Sequence, residues 1–105
     1  MITWYDRLLV HTSIENIGDI KLQINKKEYP MNVYCIIDSN NSDNLFEVLS
    51  FAELFNGLYD DMDINVLGIA KGKSNIQQVL IRLIENIITE DGKIDKNLLY
   101  VQGGD

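Results

Sequence analysis

The chain has 105 residues, of which 46% are hydrophobic and 24% charged, and a net charge of −7. That length reads as one domain spanning 1–105, able to bury ~60–70% of its unfolded surface without staples, and the apolar content excludes a disordered chain. The acidic balance speaks against nucleic-acid binding, which needs clustered Lys and Arg for phosphate contacts.

The longest apolar runs are far short of the ~20 residues that cross a bilayer, so no membrane association is expected. Met1–Arg7 lacks the basic start and long apolar stretch of a signal peptide. The single Cys35 has no internal disulfide partner. It suits a reducing compartment, and cytoplasmic localisation is the expectation. One cysteine and one histidine, His11, do not make a metal site, and no cofactor is expected.

Trp4 to Val10 reads as a first strand. Thr12 and Ser13 are positioned to cap a helix that carries Ile14, Ile17, Ile20 and Ile24 on one face. Lys26, Lys27 and Pro30 end it. Met31 to Ile37 reads as a second strand. Its core, Val33-Tyr34-Cys35-Ile36-Ile37, is apolar at every position, as when both faces of a sheet are covered.

Asp38 to Ser42 is a polar loop, and Ser42 or Asp43 would cap a second helix. Leu45, Val48, Leu49, Ala52 and Phe55 share one face of it, and Gly57 marks its end. Ile64 to Ala70 is a third strand. The third helix has Ser74 and Gln77 at capping-box spacing, then Ile76, Val79, Leu80, Leu83, Ile84 and Ile87 at helical spacing. It stops near Asp91-Gly92. Asp95 to Val101 fits either a short helix or an edge strand. Three strand–helix units predict an α/β, three-layer sandwich. Its sheet would be parallel and three-stranded in order 2-1-3, with helices on both faces and a possible extra C-terminal element.

No catalytic motif is complete. Gly68-Ile69-Ala70-Lys71-Gly72-Lys73-Ser74 follows a strand and opens a helix, as a phosphate-binding loop does. Such a loop needs four residues between its glycines, and here there are three. A weaker possibility is an anion site. In a 2-1-3 sheet the switch point lies between strands one and three, where His11, Thr12 and Ser13 would face Lys71, Gly72, Lys73 and Ser74. Asp61-x-Asp63-x-Asn65 and Asp91-Gly92-Lys93-Ile94-Asp95 each lack residues that a calcium loop requires. Cys35 reads as a core thiol and His11 as a structural residue.

The charge is unevenly spread. From Glu28 to Ala70 there is no Lys or Arg, while eight acids lie there. On the expected second helix, Asp43, Glu47 and Glu53 share a polar arc with Phe46 and Leu54, and Asp60, Asp61 and Asp63 continue it. Ile81 and Ile88 widen the apolar face of the third helix. This pattern suggests a non-enzymatic protein-binding or adaptor domain, of which an immunity or inhibitor protein is one subclass. Its partner would be a basic protein or a second copy. The alternative is a small-ligand or anion-binding domain with its site at the carboxyl ends of the strands.

Trp4-Tyr5-Asp6-Arg7-Leu8, Val33 to Ile37, Asn44-Leu45 and Val66-Leu67-Gly68-Ile69-Ala70-Lys71-Gly72-Lys73 together resemble a group of short uncharacterised proteins of Gram-positive anaerobic bacteria. The resemblance spans nearly the whole chain, and its sharpest part is V-x-G-x-A-K-G-x before an isoleucine-rich helix. Ile76 and Gln77 depart from it where smaller residues are usual. The resemblance implies a single compact α/β domain and no particular activity.

Overall fold

The computed structural model describes residues 2–38, 45–55, 57 and 62–100. In chain order the elements are β1 (Ile2–Val10), α1 (Ile17–Asn25), β2 (Val33–Asp38), β3 (Phe46–Ser50), α2 (Phe51–Leu54), β4 (Ile64–Lys71) and α3 (Lys73–Glu85). A short 3-10 helix, Lys96–Tyr100, follows. The four strands form one sheet in the order β1-β4-β2-β3.

This sheet corrects the expected one. It is mixed and four-stranded, and only β1 and β4 are parallel. β2 runs antiparallel to both β3 and β4, so β4 sits inside the sheet and β1 at its edge. The reason lies in the connections. A parallel crossover must carry the chain back along the whole sheet. α1 has nine residues and does not do so. Pro30, Met31 and Val33 line the same groove as Ser13 and Ile14, so β2 leaves from the end at which β1 arrives.

The expected second helix is mostly strand. Residues 46–50 pair with β2 from Asp38↔Phe46 to Tyr34↔Ser50. Helix begins only at Phe51, where Ser50 and Glu53 form a reciprocal capping box. The expected caps Ser42 and Asp43 lie outside the described residues. α1 starts later than expected, capped by Asn16 in place of Thr12 or Ser13. α3 opens on Gly72 with no side-chain cap, so Ser74 and Gln77 form no capping box. It ends at Glu85, ahead of the expected Asp91-Gly92, where a turn closes instead through Gly92 N–H to Thr89 O. The C-terminal segment resolves as the 3-10 helix.

Helices cover both faces of the sheet. On one face α1 and α2 pack over Val33, Cys35, Ile37, Ile64, Val66 and Ile69, with Ile24, Phe51 and Leu54 buried beneath them. On the other, α3 sets Ile76, Val79 and Leu83 against Ile36, Leu67 and Ala70, and Leu99 of the 3-10 helix closes the lower end. β4 keeps both faces filled by a bulge. Ile37 pairs with Val66 and Ile36 with Gly68, which leaves Leu67 as the extra residue. Gly68 then lies under α3, where a Cβ would stand 2.6 Å from Cγ1 of Val79.

The 3-10 helix is latched to both sides of the sheet. The carbonyl of Leu99 accepts from Tyr5 Oη and from Arg7 Nη2 on β1. Tyr100 donates its hydroxyl to Asp38 at the end of β2. The Lys96 ammonium sits against Asp38 Oδ1, an atom out of contact with water. A base from outside the acidic segment therefore neutralises one of its acids. Burial, then the bond to Asp38, pushes the Tyr100 hydroxyl up to about 12, and a hydrogen bond from Asn65 opposes this.

Candidate functional site

The carboxyl ends of β1 and β4 are neighbours, because Val10 pairs with Ile69. The structure therefore brings His11, Ser13 and Lys71 together. His11 N–H donates to Ile69 O, and Lys71 N–H donates to Ser13 Oγ at 2.9 Å. Nδ1 of His11 accepts from the Ser13 amide at 3.0 Å, which leaves Nε2 to donate to Gln78 Oε1 at 3.3 Å. Both ring nitrogens are thus engaged, Nδ1 within the loop and Nε2 on α3, while the His11 amide and Ser13 Oγ tie the loop to β4.

Gly72, Lys73 and Ser74 follow at the start of α3, with Gly72 at φ 90°. The Gly72 amide donates to Asn32 O at 2.8 Å. The amides of Lys71 and Gly72 are thus spent inside the protein. The clefts beside this corner are small. One of about 180 Å³ lies among His11, Thr12, Gln78 and Arg82. A shallow groove of about 330 Å³ runs between α1 and Met31. Ligand pockets usually span ~300–1,000 Å³ and enclose most of the ligand. Among the described residues no three His, Cys, Asp or Glu side chains gather where they would hold a metal ion, and no helix is long and apolar enough to cross a membrane.

The acidic surface is built differently from the expected helical arc. Glu47 lies on β3 and Glu53 on α2, so the two do not share a helix face. Leu54, expected to project outward, is 2% exposed and belongs to the core beneath α2. Phe46 is half-buried, with the Lys96 ammonium 5.9 Å from its ring centre. Glu53 accepts from the Ser50 amide through its own carboxylate. Asp63 is exposed just before β4, and Asp43, Asp60 and Asp61 lie outside the described residues.

A third surface emerges around β3. Gln78, Arg82 and Asn86 of α3 and the turn after it face β1, where they line the clefts against Leu9. At 3.6 residues per turn Leu80 and Ile84 fall on the opposite flank, toward β2 and β3, and Ile81 lies on the outward face next to them. Ile81 is 57% exposed. Ile88, just past the helix, bridges to Ile94, and these two are 44% and 52% exposed. Below this flank the sheet presents Tyr34 and Val48, which are only half-buried. Among the described residues no strand pairs with the outer edge of β3. The sequence signal for this surface was Ile81 and Ile88 on the flank of α3; the open strand beside them was hidden by the helical reading of residues 45–55.

The chain matches no protein family, no curated protein and no solved structure.

Proposed function

We propose that this chain is a non-enzymatic protein-interaction domain whose contact surface is the apolar step between α3 and β3. One observation carries the reading. On the α3 face of the sheet Tyr34, Phe46 and Val48 are only half-buried, and α3 beside them carries half-buried Leu80 and Ile84 and an exposed Ile81. Contiguous exposed apolar side chains beside a polar surround mark interaction sites more often than ordinary surface. The anion-binding alternative has less support, because the Lys71 and Gly72 amides leading into α3 already have acceptors and the cleft beside His11 and Thr12 holds only about 180 Å³.

The test is site-specific photo-crosslinking in cells that make the protein. A crosslinker at position 81 is expected to give a discrete heavier adduct. One at Asp19, exposed on α1 over the opposite face of the sheet, is expected to give none. Adducts of equal yield at both positions, or none at position 81, would remove this reading.

A further inference from the structure

We infer that the partner adds an extended, basic segment to the outer edge of β3, continuing the sheet by one strand. This rests on the protein-interaction reading and names what its surface receives. β3 ends the sheet, so its outward backbone N–H and C=O groups have no strand partner among the described residues. Such an edge is a template for strand addition, in which main-chain bonds give affinity and alternate side chains give specificity.

The two faces of an added strand would meet different surroundings. Phe46 and Val48 point to the α3 side of the sheet, where half-buried Tyr34 and Leu80 leave an apolar ledge. Glu47 and Leu49 point to the other side, where Leu49 packs against the core. Among the described residues Glu47 has no ion-pair partner, and no Lys or Arg occurs between Glu28 and Ala70. An added strand with apolar residues toward α3 and basic residues toward Glu47 fits both sides. A second copy fits less well, because it brings another net charge of −7 and the repulsion that goes with it.

The probe is a short synthetic peptide alternating valine and lysine, titrated into the isotope-labelled full chain. The amides of Phe46–Ser50 are expected to shift and exchange more slowly, with affinity falling as salt rises. Glu47→Lys, at a half-exposed position, should weaken binding about fivefold while leaving the unfolding midpoint unchanged. A valine–glutamate peptide should not bind. The proposal is overturned if the valine–lysine peptide leaves β3 unmoved, or if the glutamate peptide binds equally well. Sedimentation showing a dimer with β3 protected would assign the edge to a second copy and overturn it too. A helical leucine–lysine peptide that shifts Ile81 and Ile84 without slowing exchange in β3 would overturn strand addition alone and leave the interaction surface standing.

Discussion

A methyl group at position 68 would stand 2.6 Å from Cγ1 of Val79, well inside contact distance. Val79 is β-branched and 3% exposed, so it has no rotamer into which to retreat. Gly68→Ala is therefore expected to lower stability by about 1–3 kcal/mol, the usual cost of overpacking. Val79→Ala should recover part of that loss in the double variant although it costs stability alone. Denaturant unfolding of the four proteins of the cycle measures the coupling. Additive losses would show that α3 moves aside freely.

Cys35 gives the residue scale its pH dependence. It is 0% exposed, and burial, with a smaller contribution from the Glu53 charge, pushes its thiol from its ordinary value near 9 up to about 12. Below about pH 9 both folded and unfolded chains hold the proton, and pH changes nothing through this group. Between the two values the unfolded chain loses the proton while the folded chain keeps it, so stability falls as pH rises. Wild type should thus lose more stability than Cys35→Ala between about pH 8 and about pH 10.5, measured by urea unfolding. Equal losses would place the alkaline sensitivity elsewhere. Burial of this residue was legible in the sequence, since Val33 to Ile37 has no polar position to turn toward water.

At the scale of elements, β2, β4 and α3 were legible and β3 was not. Leu45, Val48, Leu49, Ala52 and Phe55 do recur at helical spacing. The same residues contain a strand, Phe46–Ser50, running into a single helical turn. Pairing with β2 over five residues outweighs local helical periodicity here. The overlooked signal was Ser50 followed by Glu53, a capping box in the middle of the supposed helix. Ser50→Ala should therefore cost about 0.5–2 kcal/mol by removing the acceptor for the Glu53 amide. A thermal scan of the variant checks this, and an unchanged midpoint would mean that α2 is held by Phe51 and Leu54 alone.

For the molecule as a whole, the convergence of His11, Ser13 and Lys71 was legible because it depends only on β1 and β4 being parallel neighbours. The strand order was not, because it depends on where connections return the chain, and an α1 of nine residues looks much like a crossover helix in one dimension. The helical arc expected for Glu47 and Glu53 is not formed. Composition located the charge, but Lys96, far along the chain, neutralises Asp38, and Leu54 turns inward.

The position of β4 has a consequence for synthesis. Of the four strands β1 leaves the ribosome earliest, and its one strand partner among the described residues is β4. β2 and β3 can meet as soon as they emerge, but the other neighbour of β2 is also β4. A nascent chain that has reached residue 62 therefore holds three of the four strands but not the one that joins β1 to β2. Loop closure between β1 and β4 spans most of the chain, and such distant contacts form slowly. Until Ile64–Lys71 arrives, Trp4 and Leu8 have no strand beside them on which to pack. Of the four strands of the sheet, the earliest made thus waits for the latest.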